Sequence, residues 1–246
     1  MKKKVIIAAI AIIISATGQL YAAYSDALKL YNEGNYDAAI KIIANDMVMA
    51  NDFVEGSENY KMRFLAGHIL WKMNSQQKAL MHFSRCIEIK PTVTDAYIDS
   101  ALLHIELKKY NDALKNGKKV IELDPNNPMG YYIIGNVYMY YGNFPAAKEQ
   151  FEKSLSVDAS AFASYNALGK TLMFMKKFGD ANTAFSAALA LNPNSPEILS
   201  NLAICNYRMG KKDEAIQTIA KAISLDQSNA ELKKNSDIIN GLVAEN

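Results

Sequence analysis

The sequence predicts an all-α fold, a solenoid of helix–turn–helix units stacked in a row and closed by a C-terminal capping helix. Three observations predict it. One phrase recurs along the chain: GNYDAAIKII at Gly34, KKYNDALKNG at Lys108, GNFPAAKEQF at Gly142, KKFGDANTAF at Lys176 and GKKDEAIQTI at Gly210. Aligned on its alanine, the phrase places Ala39, Ala79, Ala113, Ala147, Ala181 and Ala215 at steps of 40, 34, 34, 34 and 34 residues. Pro91, Pro125 and Pro193 keep the same register, with Ala159 and Gln227 at the two intervening places. Apolar residues also recur at helical spacing. In AAKEQFEKSLSV, Ala147, Phe151, Ser154 and Leu155 share one face, while Lys148, Glu149, Glu152 and Lys153 lie mostly on the other.

From the N-terminus, residues 1–22 have the layout of a secretory signal peptide. MKKK is a positive start, Val5 to Ile14 an apolar run, and small residues follow. Cleavage is expected after Gly18 or Ala22. The alternative is an uncleaved inner-membrane anchor, but the ten-residue run falls short of the about 20 a spanning helix needs. Residues 23–59 form a degenerate first unit, lengthened around NDFVEGSEN, Asn51 to Asn59. Five regular units follow, 60–93, 94–127, 128–161, 162–195 and 196–229. Tyr97, Tyr131 and Tyr165 open first helices, and Phe83, Phe151 and Phe185 recur in second helices. Pro128, Pro145 and Pro196 fall at helix starts, where a missing N–H costs little. Residues 230–246 are read as the cap. Ser228 and Glu231 have capping-box spacing, and Leu232, Ile239 and Leu242 are placed to cover the last repeat.

The 34-residue period, the register of proline and aromatic positions, and the Leu-Gly place held by ALG at Ala167 to Gly169 and IIG at Ile133 to Gly135 resemble the tetratricopeptide repeat. The resemblance covers nearly all of the chain after the leader and implies a right-handed solenoid that acts as a scaffold for partners. It also implies where a partner lies: on the concave side, against the first helix of each unit. At those positions stand Trp71 in the 60–93 unit; Tyr132, Asn136, Met139 and Tyr140 in the 128–161 unit; Asn166, Lys170, Met173 and Phe174 in the 162–195 unit; and Glu197, Ser200, Ile204, Tyr207 and Arg208 in the 196–229 unit. Of these, Glu197, Ser200, Ile204 and Tyr207 carry no assigned role.

Their chemistry suits recognition. Carboxamides pair with both the N–H and C=O of an extended peptide, and lysine takes a carboxylate. Methionine adapts to varied shapes, and aromatics dominate binding hot spots. The alternative for the aromatics is packing between repeats. The subfamily that clamps carboxylate-ended chaperone tails is not matched, because Phe64, His68, Ile98 and Leu102 stand where it has lysine and asparagine.

Composition narrows the function classes. The formal charge is +2, but Lys2, Lys3 and Lys4 lie in the leader and the remainder has 24 basic against 25 acidic residues. That argues against a nucleic-acid partner held by overall charge. No phosphate loop, nucleophile elbow or zinc motif is present, so no cofactor, metal or catalytic residue is expected. Cys86 and Cys205 fall in distant repeats and are read as free buried thiols. His104 is read as packed, His82 as outward-facing on a second helix and His68 as groove-facing. The expectation is an exported, non-catalytic scaffold of the periplasm or cell envelope that binds a protein or peptide. Alternatives are a structural envelope-assembly protein acting through its convex face or by self-association, or a small-ligand or enzymatic site around His68 and Trp71. Membrane contact is expected only through an uncleaved leader.

Overall fold

The computed structural model describes residues 21–49 and 57–241, and every regular element among them is a helix. The expected signal peptide therefore lies outside the described residues, except for its last two positions, which are helical. The helices are α1 (21–32), α2 (Tyr36–Met49), α3 (Ser57–Lys72), α4 (Gln76–Ile89), α5 (Thr94–Glu106), α6 (Tyr110–Leu123), α7 (Pro128–Tyr140), α8 (Phe144–Val157), α9 (Phe162–Phe174), α10 (Phe178–Leu191), α11 (Pro196–Arg208), α12 (Lys212–Leu225) and α13 (Ala230–Asn240). They divide into two compact units, 1–107 and 108–246, the division falling at the hinge of the 94–127 repeat.

The recurring phrase is a hinge with one backbone conformation. Positive φ occurs at Gly34, Asn74, Lys108, Gly142, Lys176 and Gly210, each five residues before one of the aligned alanines. At Gly142 the amide donates to Met139 O at 3.0 Å and the next amide, Asn143, to Tyr138 O at 2.9 Å. The same pair of bonds recurs at Lys176 and at Gly210. This left-handed cap satisfies carbonyls that a helix end leaves bare. The next helix then starts at once: Ala147 N donates to Asn143 O at 3.0 Å and Ala181 N to Lys177 O at 2.9 Å.

Glycine adopts this conformation freely, whereas an L side chain resists it by about 1–2 kcal/mol. Lys176 holds φ 58°. Lys176→Gly is therefore expected to stabilise the protein by roughly 0.5–1 kcal/mol after the added freedom of the unfolded chain is subtracted. That is a rise of about 1–4 °C in thermal midpoint. An unchanged or lower midpoint by circular dichroism would count against a strained hinge.

Side-chain packing explains the other repeated positions. The aligned alanines Ala39, Ala79, Ala113, Ala147, Ala181 and Ala215 are all fully buried. A Cβ added at Gly67, Gly135 or Gly169 would sit 2.5, 2.7 or 2.6 Å from a ring carbon of Phe83, Phe151 or Phe185 respectively. Those three rings are 0, 0 and 1% exposed. Each missing side chain on a first helix is thus the seat of a ring from the second helix. The 196–229 repeat solves the same site with Ala203 and Ile219, both buried.

In the 1–107 unit the core gathers Ala27, Ala39, Ile43, Met62 and Ile69, with Leu70, Phe83 and Leu103 beside them. In the 108–246 unit Phe151, Leu168, Leu172, Phe185 and Cys205 form one cluster, and Leu199, Ile219, Leu232 and Ile239 another. Leu232 and Ile239 so tie α13 to the last repeat; Leu242 lies outside the described residues. Both cysteines are free and buried. Burial pushes the Cys86 thiol up to about 12 and the Cys205 thiol to about 11, so neither supplies a reactive thiolate.

Two local expectations are corrected. The N-cap of α13 is Asn229, whose Oδ1 accepts from Glu231 N at 3.0 Å and Leu232 N at 3.3 Å. Ser228 is unavailable because its N–H and hydroxyl both donate to Asp226 Oδ1. His82 does not face outward. It lines an apolar cleft of about 480 Å³ with Ile40, Leu70 and Met81, and burial lowers its pKa.

Candidate functional site

In the 108–246 unit the first helices α7, α9 and α11 carry nine of the ten expected site residues. Seven of them fall into three groups. Tyr132 and Met139 belong to the packing: the Tyr132 ring lies 6.0 Å from Phe151, and Met139 Sδ accepts from Thr171 Oγ1 at 3.6 Å. Burial pushes the Tyr132 hydroxyl pKa above its ordinary value. Tyr140 and Phe174 are 53 and 61% exposed. Each stacks one face on a second-helix ring, Tyr140 on Tyr110 at 4.8 Å and Phe174 on Phe144 at 5.0 Å, and leaves the other face open.

The third group is polar. Asn136 Nδ2 donates to Tyr132 O, one turn back on its own helix, at 2.9 Å. Asn166 Nδ2 donates to Glu197 Oε1 at 3.0 Å, and Lys170 Nζ reaches the same oxygen at 3.2 Å. Asn201 Nδ2 donates to Asn166 Oδ1 at 2.9 Å, and Asn235 Nδ2 to Ser200 Oγ at 2.9 Å. The amides expected to await a partner are therefore engaged within the chain, Asn136 on its own helix and Asn166 in a ladder that links α9, α11 and α13. Two of its members, Asn201 and Asn235, were not singled out from the sequence. The steps of 35 residues from Asn166 to Asn201 and 34 from Asn201 to Asn235 are the signal that finds them.

Two cavities flank Lys170. One, about 120 Å³, is bounded by Tyr132, Asn136, Phe162, Asn166 and Glu197. The other, about 490 Å³, has Met173, Phe174, Phe178 and Ile204 on its walls, with Lys176 and Arg208 at its rim. Its volume suits one or two large side chains, and apolar walls with a few placed polar groups are the usual make-up of a binding pocket.

Trp71 belongs to the 1–107 unit and is described there by itself. Its Nε1 donates to Glu106 Oε2 at 2.9 Å, and its ring lies parallel to His68 at 6.4 Å. His68 Nε2 is 3.0 Å from Asp99 Oδ2, a carboxylate partner that the sequence order conceals. His104 is half-buried on α5. No three His, Cys, Asp or Glu side chains among the described residues could hold a metal ion. No helix among them is long and apolar enough to cross a membrane.

Known proteins share this geometry. Tetratricopeptide-repeat profiles match residues 60–93, 94–127, 130–160 and 172–234. A UDP-N-acetylglucosamine–peptide N-acetylglucosaminyltransferase of Giardia intestinalis is 37% identical over 70 residues, 28% of this chain and 5% of that enzyme. The protein O-mannosyl-transferase TMTC3 of Homo sapiens is 30% identical over 102 residues, 41% of this chain and 10% of the relative. The chain thus spans only a small part of these relatives. Among solved structures, a thermophilic TPR protein of Thermus thermophilus superposes with a TM-score of 0.67 at 24% identity, over 75% of this chain and all of that one. The Cut9–Hcn1 hetero-tetramer of the APC/C gives 0.77 at 12% identity, over 89% of this chain and 42% of that one. Likeness at such identity speaks to fold alone. With the fixed period, the left-handed hinge and the glycine–phenylalanine seats repeated along it, these matches place the chain in the tetratricopeptide-repeat family.

Proposed function

We propose that the protein is an exported, non-catalytic scaffold of the periplasm or cell envelope that binds a protein or peptide partner. Binding takes place on the first-helix face of the 108–246 unit. The observation that carries this reading is the cavity of about 490 Å³ beside Lys170, with its apolar walls and its cationic and carboxamide rim. An anchor side chain of the partner enters the cavity, and the polar ladder around Asn166 sets its register. The open faces of Tyr140 and Phe174 extend the same surface. Export rests on the leader-like order of MKKK, the apolar run and the small residues that follow.

The test is affinity capture from an envelope fraction. The wild-type chain is compared with Asn136→Ala/Lys170→Ala, and the mature N-terminus is read from the same preparation. Capture is expected to be lost in the double variant at unchanged helicity, from a chain that begins after Gly18 or Ala22. Equal capture by both proteins would overturn the assignment of this face. A retained leader would overturn cleavage.

A further inference from the structure

The Glu197 carboxylate sits on two donors that belong to a neighbouring helix. Asn166 Nδ2 lies 3.0 Å and Lys170 Nζ 3.2 Å from its Oε1. The Asn166 donor is held in place independently of it. Asn166 is only 9% exposed, and Asn201 fixes its amide by donating to Asn166 Oδ1. Lys170 follows one turn later on the same helix. The acceptor is different: the Glu197 side chain is 64% exposed. Exposed ion pairs add little net stability, so exchanging Glu197 for another carboxylate costs little. The surroundings favour that exchange. Among the described residues, Glu197 is the only carboxylate lining either cavity that flanks Lys170, whereas Lys170, Lys176 and Arg208 line the larger one.

We propose that Asn166 and Lys170 form a carboxylate-binding subsite that Glu197 occupies in the free protein. The partner is an acidic peptide segment. Its Asp or Glu displaces Glu197, and a neighbouring aliphatic or aromatic side chain enters the cavity walled by Met173, Phe174 and Ile204. This rests on the peptide-scaffold reading above and adds both the partner's chemistry and a built-in competitor. Glu197 thereby sets a threshold: segments without a carboxylate leave it in place and gain only the apolar contact.

The test pans a random displayed peptide library against the full chain as wild type, Glu197→Ala and Lys170→Met. Wild type is expected to enrich peptides with Asp or Glu next to a large apolar residue, and Lys170→Met to lose the acidic preference. The most enriched acidic peptide, labelled for fluorescence anisotropy, is expected to bind Glu197→Ala about fivefold more tightly, roughly the weight of one exposed ion pair. Its Gln-substituted analogue is expected to bind the two proteins alike. A merely structural Glu197 would give equal or weaker binding after its removal, and that result overturns the proposal. Enrichment of apolar peptides without an acidic preference also overturns it while leaving the scaffold reading intact. No enrichment above an unrelated protein would overturn both.

Discussion

Phe185→Ala is expected to lower unfolding stability by about 3–5 kcal/mol, the range for removing a buried aromatic ring from a packed core. The ring is 1% exposed and lies among Leu168, Leu172, Ala181 and Cys205, side chains from α9, α10 and α11. Its seat is the bare Cα of Gly169, which has no side chain to fill the space. The reverse change is costly for the same reason. A Cβ at Gly169 would stand 2.6 Å from the ring, and Gly169→Ala is expected to lose about 1–3 kcal/mol by overpacking.

The two positions are coupled, and the protein contains its own control. The next repeat holds Ala203 and Ile219 where this one holds Gly169 and Phe185. Gly169→Ala/Phe185→Ile is therefore expected to lose less than its two single changes added together, because the new methyl occupies space that the ring vacates. Chemical denaturation of the four proteins measures the coupling. Strict additivity would contradict the shared seat.

Phe174→Ala is expected to do the opposite. Phe174 is 61% exposed and keeps only its stack on Phe144, with centroids 5.0 Å apart. Such a pair contributes about 0.5–1.5 kcal/mol, so the fold should survive the change. Binding should not. An exposed ring on the wall of an apolar cavity has the position of a binding hot spot, worth about 2 kcal/mol or more, and its loss weakens affinity by about 30-fold. Titration of a partner captured by the wild-type protein measures this. A wild-type affinity in the variant would remove Phe174 from the site, and a collapse in thermal midpoint would reassign it to the core. The contrast between Phe174 and Phe185 separates surface from scaffold within one repeat.

The hinge was legible in sequence because it is local. A left-handed residue followed five positions later by a buried alanine repeats at each unit, and composition shows it even where Lys108 or Lys176 replaces glycine. The polar ladder was harder to read, because its partners are offset from the period. Asn166 meets Glu197 and Asn201, 31 and 35 residues on; His68 meets Asp99 at 31, and Trp71 meets Glu106 at 35. These two offsets differ by one helical turn. A residue on one first helix therefore faces two places on the next, and neither is its own equivalent at 34. Exposure of Tyr140 and Phe174, as against burial of Tyr132, was not legible either. All three are aromatics on first helices, and only the position of the neighbouring helix decides between them. Asn229 replaced Ser228 as the cap of α13 because Asp226 competes for the serine, a contest that spacing alone does not show.

The central claim is that the first-helix face of the 108–246 unit is the binding surface. A photoreactive side chain placed at Phe174 tests it most directly, against the same group at Ser186, which is exposed on α10. The account predicts a partner adduct from position 174 and none from position 186. Adducts from 186 with none from 174, or equal yields from both, would contradict it.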